Sequence, residues 1–435
     1  MRVSRGRLRL PRPGRARLPV RALRRVARRG RAAGRGAGVG AVDVGQSEQY
    51  VRLVDHVSLR QLEQPCVYDR RRDELYELNQ EGFAALTRCR GHLTLAEVGL
   101  EPEFQRVCLE EGLLALSERP WPRPLSLGPA PTPSLRYLEL QVTWRCNLAC
   151  GHCYLGPAQA VDLPLEQIAA LVREFEAMGG LRLMLSGGEP LLHPRWSEIN
   201  AILAALPLRR VLLTNGLLLR GSVLAELHCE EVQISLDGAQ AGHDRLRGPG
   251  SFAGALAAAQ AVRDSGRDLS IATMVHAGNL DQFEELEELV RGLGAIEWGI
   301  DAPSLSGRLA DHPGLAVSPA QAAQAMAHAF GGAFHGHGGG MACGLHLATV
   351  AANGLVAQCG FYLDQPLGRA GEGLWTCWER RRPLALAQLT PCAQCAAVED
   401  CGGGCRFRAS DPLGPDLVMC ALHGVEPVRI GKEKP

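Results

Sequence analysis

The spacing of apolar and polar positions divides the chain into regions of different character. In the first region short apolar runs alternate with charged turns, which predicts strands at 50–53, 57–62, 65–68 and 75–78. Helical spacing follows at 80–89 and 103–114, and Gly91 breaks the chain after the first helix. We therefore expect a small winged-helix-like domain over residues 46–119.

A proline-rich stretch follows this domain. Six prolines lie between Pro120 and Pro133, and such a composition favours a stiff, extended chain. Residues 120–134 are therefore predicted to be a linker between two domains.

Apolar, strand-like runs alternate with amphipathic helices over residues 135–330. The runs that predict strands lie at 135–143, 181–185, 211–214, 232–236, 269–275 and 295–300. Six such βα units in a row favour an α/β fold with a parallel sheet, here a partial (β/α)6 barrel of the TIM type. In such folds the chemistry takes place at the carboxyl ends of the strands.

From about residue 331 the chain is rich in glycine and irregular in pattern. Eight of the fifteen cysteines fall between Cys343 and Cys420. A segment with so little regular pattern and so many thiols is typical of a domain organised by metal. We assign this domain to residues 331–423, followed by a short tail at 424–435.

Charge separates the start of the chain from the rest. The sequence has 47 basic and 46 acidic residues, but the first forty residues contain fourteen Arg and no acid, so the remainder carries −13. The arginine-rich residues 1–45 lack the apolar content needed to fold and are interpreted as a disordered tail or a mis-called start. The acidic remainder gives no support for nucleic acid as a partner.

The location and the state of the cysteines follow from what the sequence lacks. No apolar run reaches the roughly 18 residues of a membrane span, and the start lacks the apolar centre of a secretory signal. We therefore expect a cytoplasmic protein without membrane contact. Because cytosolic thiols stay reduced, the cysteines are interpreted as metal or iron–sulfur ligands.

One cysteine triplet lies directly after the first predicted strand of the barrel. Cys146, Cys150 and Cys153 form Cys-x-x-x-Cys-x-x-Cys. Three thiolates suit three corners of a [4Fe–4S] cube and leave one iron open, whereas a structural zinc site takes four protein ligands.

The triplet resembles the signature of the radical S-adenosylmethionine (SAM) enzymes, and the following strands carry further similar motifs. The resemblance implies SAM on the open iron, with Gly187-Gly188-Glu189 at its methionyl ammonium. It also implies Ser235 at the ribose, Arg247 at the carboxylate and His152 near the adenine. Thr214-Asn215-Gly216 is a further motif of this kind.

The C-terminal cysteines resemble the SPASM domain, which carries two auxiliary iron–sulfur clusters, here expected to be [4Fe–4S], in peptide-modifying radical SAM enzymes. The pattern is Cys343-x10-Gly354-x4-Cys359, then Cys392-x2-Cys395-x5-Cys401-x3-Cys405, then Cys420. The resemblance assigns Cys392, Cys395, Cys401 and Cys420 to an outer cluster. It assigns Cys343, Cys359 and Cys405 to an inner cluster.

Two assignments remain open. The inner cluster lacks a fourth ligand, for which the candidates are Cys377, His346 or an open iron. The general base is also unassigned, with Asp237 and Asp364 as weak candidates.

Sulfatase-maturating relatives carry an acid directly after the second SPASM cysteine, where this sequence has Gly360. This difference disfavours simple seryl or cysteinyl oxidation.

Residues 48–118 resemble the PqqD-like domain, also called the RiPP recognition element, which binds precursor peptides. The similar positions are the three strands, Leu78-Asn79 at the start of a helix, Arg90 to Glu97, and Glu111-Gly-Leu. The resemblance implies that a leader peptide adds as a strand at residues 74–79. A DNA-binding winged helix is the alternative, but Glu101 to Glu111 contains four acids and one Arg.

Together these patterns predict a radical SAM oxidoreductase that matures a ribosomally made precursor peptide, by a crosslink or a related radical modification. The reductant would be a flavodoxin or ferredoxin. One alternative is a radical SAM/SPASM enzyme for a small-molecule or tetrapyrrole precursor, and another is a non-catalytic iron–sulfur protein or peptide chaperone.

Overall fold

The structure, a computed structural model, describes residues 23–26, 47–304, 306–331, 340–409 and 411–426, with only the backbone described for 23–26. Apart from those four residues, the predicted tail 1–45 lies outside the described residues, as do residues 427–435 of the predicted C-terminal tail. None of the helices in the described ranges combines the length and the apolar character needed to cross a membrane.

The N-terminal domain contains two small sheets and three helices around one core. The elements are β1 Leu23–Val26, β2 Tyr50–Leu53, β3 Val57–Gln61, β4 Pro65–Asp69, β5 Glu74–Leu78, α1 Gln80–Arg88, β6 Arg90–Thr94, α2 Leu95–Val98, α3 Pro102–Glu110 and β7 Leu114–Ser117. The strand orders are β1-β5-β4-β3 and β6-β2-β7. Helices α1 and α3 bury their apolar faces, including Leu86 and Phe104, in the same core as Tyr76 and Leu78 of β5.

Strand β1 lies within the segment that the sequence predicted to be a disordered tail or a mis-called start. It pairs antiparallel with β5, with Leu23 opposite Leu78 and Val26 opposite Leu75. Without β1, the outer edge of β5 would present unpaired backbone donors and acceptors, and such an edge accepts a further strand. A strand of four residues forms only when it pairs with another strand. The local sequence of residues 23–26 does not reveal which strand that is.

The centre of the molecule is a mostly parallel sheet with helices on its outer face. Its first part contains β8 Tyr137–Thr143, α4 Leu165–Ala177, β9 Arg182–Gly187, α5 Trp196–Ala204, β10 Arg209–Thr214, α6 Ser222–Ala225, β11 Glu231–Ser235, α7 Gln240–Arg247, α8 Ser251–Asp264, β12 Asp268–Met274, α9 Phe283–Gly292, β13 Glu297–Asp301 and α10 Pro319–Met326. Strands β8 to β13 are parallel and adjacent in chain order. Their carboxyl ends therefore meet at one edge of the sheet.

The C-terminal region continues this sheet and does not form a separate one. Its elements are β14 Leu347–Val350, β15 Leu355–Ala357, β16 Gly368–Arg369, α11 Leu374–Glu379, α12 Val398–Cys401 and α13 Leu417–Leu422. β14 pairs parallel with β8, and β15 and β16 follow as antiparallel strands. The sheet thus crosses the boundary that the sequence analysis placed between residues 330 and 331.

Strand β8 has two faces of different chemistry. Leu138, Leu140 and Val142 are fully buried in the apolar core beneath the helices. The alternating residues Glu139 and Gln141 lie on the other face, because successive side chains of a strand point to opposite sides. This polar face leads directly to the cysteine loop.

The N-terminal domain docks on the amino ends of the central strands through buried charges. Arg182, at the start of β9, contacts Asp73 of the N-terminal domain at 3.0 Å and Glu231 of β11 at 2.6 Å. Arg209, at the start of β10, contacts Glu231 at 2.7 Å and donates to the carbonyl oxygens of Arg70 and Arg71 at 3.0 Å. The domain therefore sits at the end of the sheet opposite to the carboxyl ends of the strands.

Candidate functional site

The cysteine triplet lies in the loop that leaves the carboxyl end of β8, as predicted. Burial raises the pKa of Cys150 to about 11, and the neighbouring Cys146 and Cys153 act in the same direction while Arg247 opposes them. Burial also raises the pKa of Cys146, with Cys153 among its neighbours. The three sulfur atoms therefore lie close enough to interact electrostatically.

Gly187 and Gly188 allow the cysteine loop to pass against the end of β9. A Cβ atom on Gly187 would stand 2.1 Å from the carbonyl oxygen of Thr143, and one on Gly188 would stand 2.5 Å from that of Arg145. The amides of Gly188 and Glu189 donate to the same two carbonyl oxygens at 2.9 and 2.8 Å. The two glycines are thus required by close contact with the loop that carries Cys146.

Glu189 is buried behind these glycines and is held by neutral donors. Its carboxylate accepts hydrogen bonds from Thr214 Oγ1 at 2.8 Å and from the backbone N–H of Asn215 at 3.0 Å. Burial raises the pKa of Glu189 to about 7, although these hydrogen bonds act to lower it. A cationic group next to this carboxylate would favour its ionised form.

Arg247 reaches the triplet from helix α7 and is paired with Asp237. Its Nε atom donates to Asp237 Oδ2, and its NH1 atom lies 4.0 Å from Cys150 Sγ. Burial acts to raise the pKa of Asp237, but Arg247, His152, His243 and the backbone N–H of Met274 together outweigh it and hold that pKa at about 2. Asp237 also accepts from the backbone N–H of Met274 at 2.7 Å.

These contacts do not favour either of the carboxylates suggested as a base. Asp237 is a poor proton acceptor near neutral pH, since its ionised form is strongly stabilised. Asp364 is exposed and does not line the cavity beside the triplet. Asp237 instead positions the guanidinium group of Arg247.

A cavity of about 270 Å³ opens beside the triplet. The three cysteines and most of the predicted SAM contacts share this cavity, namely His152, Gly187, Gly188, Asn215, Ser235 and Arg247. Glu189 lies behind its wall. The structure therefore brings together the positions that the sequence motifs placed after four different strands.

His152 provides a test of whether this cavity fits SAM. Its Nδ1 atom is buried and has no hydrogen-bond partner among the described residues. Burial lowers the pKa of His152 to about 4, so the imidazole ring is neutral near pH 7. A neutral ring with an unused nitrogen at the wall of the cavity suits an aromatic, hydrogen-bonding group such as adenine.

The C-terminal cysteines fall into the two predicted sets. Burial raises the pKa of Cys359 to about 12, with Cys343 and Cys405 as the neighbouring thiols. Burial raises the pKa of Cys420 to about 11, with Cys392, Cys401 and Cys395 as its neighbours.

None of these groups has the geometry of a single-ion site. Across the described ranges no three His, Cys, Asp or Glu side chains are placed to bind one metal ion. A tetrahedral zinc site would require its sulfur atoms about 3.8 Å apart, given Zn–S bonds of about 2.3 Å.

Cys377 and His346 are not brought into the inner set. The thiol of Cys377 donates to the carbonyl oxygen of Arg369 at 3.4 Å within the apolar core. His346 lies 2.8 Å from the carbonyl oxygen of Ser134, and the nearby charged groups that influence its pKa are Arg136, Glu63 and Arg381. Neither candidate for the fourth ligand is therefore supported by its contacts.

Two loops of the C-terminal cysteine region are joined by one buried ion pair. Asp416 Oδ2 accepts from the backbone N–H of Cys405 at 2.9 Å, and Asp416 Oδ1 caps helix α13, which carries Cys420. Arg408 contacts Asp416 at 2.7 Å and Asp301, the last residue of β13, at 2.7 Å. These contacts fix the cysteine loops above the carboxyl end of the central sheet.

The sequence motifs missed polar residues in and next to the cavity. Glu139 and Tyr154 line the cavity, and Gln141 donates to the Tyr154 hydroxyl at 3.0 Å. The signal that could have revealed Glu139 and Gln141 is their alternation with apolar residues in β8, which places them on the face that leads to the cysteines.

Comparison with known proteins identifies the domain. Residues 140–290 match the family described as the Radical SAM superfamily. The AdoMet-dependent heme synthase of Oleidesulfovibrio alaskensis is 32% identical over 198 residues, which is 43% of this chain and 50% of that protein. The PqqA peptide cyclase of Gluconobacter oxydans is 32% identical over 174 residues, 38% of this chain and 48% of that protein. The chain thus spans about half the length of the curated relatives it matches.

Solved structures show the same fold over a longer stretch. Streptococcus suis SuiB bound to S-adenosylmethionine superposes with a TM-score of 0.61 at 15% identity, covering 83% of this chain and 98% of SuiB. SuiB bound to the precursor peptide SuiA gives a TM-score of 0.59 at 14% identity over the same shares of the two chains.

Residues 140–290 therefore form a radical SAM domain with a mostly parallel central sheet, and the curated relatives are named as enzymes. The superfamily implies SAM and one [4Fe–4S] cluster as cofactors.

Proposed function

We propose that this protein is a radical SAM maturase that modifies a ribosomally made precursor peptide. The observation that carries the proposal is the edge of β5, which accepts an antiparallel strand in the structure. Pairing of a peptide with such an edge is a common mode of peptide recognition. The predicted leader site, residues 74–79, coincides with this edge.

The N-terminal domain would hold the leader far from the reacting residue. It docks at the start of β9, whereas the cavity begins at the end of this six-residue strand. At about 3.3 Å per residue, the strand is about 20 Å long. At least about six extended residues would therefore connect the leader to the modified residue.

The cavity would supply the sites for the cofactors. Cys146, Cys150 and Cys153 would ligate the cluster, and Glu189 and Arg247 would hold the ammonium and carboxylate of SAM, as the family resemblance implies. When bound, the cluster and SAM would supply radical chemistry that removes a hydrogen atom from the substrate. Asp237 would keep Arg247 oriented during this reaction, and the neutral ring of His152 would contact the adenine.

The two C-terminal cysteine sets would hold auxiliary [4Fe–4S] clusters. The inner set contributes three thiols, so its fourth position would be open to the substrate or another ligand. A flavodoxin or ferredoxin would provide the electron that starts the reaction. The crosslink or other modification formed on the peptide depends on the residues that reach the cavity.

A tetrapyrrole or other small-molecule substrate is the second candidate, because one of the similar relatives is named as a heme synthase. This class of substrate does not require the peptide-binding edge. Deleting residues 1–119 would therefore abolish binding and modification only for a peptide substrate.

The test of the maturase proposal is anaerobic coexpression with the short open reading frame nearest the gene, followed by peptide mass in ordinary and heavy water. We expect release of 5′-deoxyadenosine and a mass change in the peptide. Loss of two hydrogens indicates a crosslink, loss of a carboxyl group a decarboxylation, and deuterium uptake alone an epimerisation. A reconstituted protein that releases no 5′-deoxyadenosine would contradict both enzyme functions.

Truncation before Gln46 tests the assignment of the β5 edge. The shortened protein should keep its clusters, SAM cleavage and peptide binding. Because β1 occupies the proposed leader edge, its removal should strengthen peptide binding. The increase in affinity would be about tenfold if the pairing of β1 with β5 contributes ~1.4 kcal/mol. Weaker peptide binding after truncation would contradict this assignment.

A further inference from the structure

Glu139 is an acidic residue of the cavity that neither the cluster nor the SAM contacts involve. It lies on the polar face of β8 and is half-buried at the wall of the same cavity as Cys146 and Arg247. Among the described residues that line this cavity, it is the one carboxylate. Of the acids near the cavity, Glu189 lies behind the wall and Asp237 is paired with Arg247.

Two hydroxyl groups hold the Glu139 carboxylate in place. Ser186 Oγ donates to Oε1 at 2.5 Å, and Thr349 Oγ1 donates to Oε2 at 2.8 Å. A carboxylate offers about four acceptor positions, so two hydrogen bonds leave capacity on both oxygen atoms. The described arginines and histidines form no ion pair with Glu139, in contrast to Asp237.

The position of Glu139 connects the two halves of the site. Ser186 directly precedes the two glycines at the cysteine loop, whereas Thr349 belongs to β14 of the C-terminal region. Tyr154, which follows Cys153, packs against Phe361, which lies two residues after Cys359, with their ring centroids 4.7 Å apart. Glu139 and Tyr154 line the same cavity. A substrate between the triplet and the inner set would thus meet this carboxylate.

We propose that Glu139 is the catalytic proton acceptor of the reaction, which deepens the proposed peptide maturase function and rests on it. An N–H, O–H or S–H bond of the bound peptide breaks, and its proton forms a new O–H bond with a carboxylate oxygen of Glu139. The electron pair of the broken bond stays on the peptide nitrogen, oxygen or sulfur, so this atom is deprotonated when the modification takes place.

The experiment compares Glu139→Gln with the wild type, using the coexpressed precursor peptide under anaerobic conditions. The measured quantity is modified peptide per 5′-deoxyadenosine released. We expect this ratio to fall at least about 100-fold, the usual lower range for loss of a general base. Release of 5′-deoxyadenosine should stay within a few-fold of the wild type, and Glu139→Asp should recover part of the ratio.

Glu174→Gln is the matched control. Glu174 is also half-buried and accepts two hydrogen bonds from neutral donors, the backbone N–H groups of Leu374 and Trp375, but it lies away from the cavity. This variant should keep the wild-type ratio, and both variants should keep the iron content and the SAM affinity.

The outcomes separate the two proposals. A wild-type protein that releases 5′-deoxyadenosine but leaves the peptide unmodified contradicts the maturase function. A wild-type protein that modifies the peptide, together with a Glu139→Gln variant of unchanged ratio, contradicts the role of Glu139 alone.

Discussion

The two cysteine regions of this protein are supported by different kinds of structure. The triplet follows β8, whose position is fixed by parallel neighbours on both sides, β9 and β14. The C-terminal cysteines lie on loops and on helices of four and six residues, α12 and α13. Arginine side chains support these loops, for example Arg381, which donates to the carbonyl oxygens of Gly344 and Leu345.

The sheet holds the triplet loop in place, whereas the C-terminal loops are expected to need bound metal to keep their structure. Parallel strands fix the triplet loop through backbone hydrogen bonds and buried apolar residues, which are present without a cofactor. The C-terminal loops have little apolar core of their own, with Ala342, Leu386 and Leu389 as the buried residues of one small cluster. We therefore expect metal to contribute more to folding in the C-terminal region than at the triplet.

Replacing the triplet and the outer C-terminal cysteines in separate variants should give the largest difference between the two regions. Replacing Cys146, Cys150 and Cys153 by Ala should abolish 5′-deoxyadenosine release while the fold and the auxiliary clusters persist. Replacing Cys392, Cys395, Cys401 and Cys420 by Ala should remove amide protection throughout residues 390–425. Hydrogen exchange and iron content measure both effects, and equal loss of protection in the two variants would contradict the comparison.

Arg408→Ala tests the buried ion pair that joins two loops of the C-terminal cysteine region. The change leaves the buried carboxylate of Asp416 without its cation, a loss that typically costs about 3–5 kcal/mol. We expect a corresponding fall in the free energy of unfolding and a lower content of auxiliary iron, measured by denaturation and metal analysis. Arg382→Ala, an exposed arginine of the same region, is the control and should change neither quantity.

Glu189 should make the free energy of unfolding depend on pH. Its folded pKa of about 7 lies above its usual 4.5, so folding favours the protonated form. The free energy of unfolding should therefore fall as pH rises from about 4.5 to 7, by on the order of 2–3 kcal/mol.

Glu189→Gln should lose this fall, whereas Glu174→Gln should keep it. Urea unfolding of the SAM-free protein at pH 5 and pH 8 measures the difference between each variant and the wild type. If Glu189→Gln shows the pH dependence of the wild type, the carboxyl group is already ionised at pH 5.

Cys377→Ala has the smallest expected effect. The thiol is packed beside Leu374 and Trp378 in the main core, so its loss should lower the free energy of unfolding by about 1 kcal/mol. Iron, sulfide and spectra should not change. Loss of one cluster's iron would instead place Cys377 in the inner set.

Much of the fold was predictable because its signals are local. Strands β2 to β5 and helices α1 and α3 begin and end within a few residues of the predicted bounds, since each has a clear apolar period. The cysteine triplet, Gly187 and Gly188 were likewise placed correctly at strand ends. The two sets of C-terminal cysteines follow the grouping that the resemblance implied.

The remaining features depend on partners that are distant in the sequence. Strand β1 requires the edge of β5, and strands β14 to β16 join the central sheet only because β14 finds the free edge of β8. The pairing of Asp237 with Arg247 depends on the fold of the segment between them, including the start of helix α7. From the sequence, Asp237 is a candidate base and Arg247 a SAM contact, and neither assignment gives the contact between them.

The sequence by itself determined the kinds of chemistry available in this protein, because residue type and spacing encode strands, helices and clusters of thiols directly. Tertiary structure decided which of those groups share a cavity. In the sequence, Glu139 is only one polar residue in an apolar strand. In the folded protein its carboxylate accepts hydrogen bonds from Ser186 and Thr349, which are 47 and 210 residues away in the chain. Only strand register, a property of the assembled sheet, places it between the two cysteine sets.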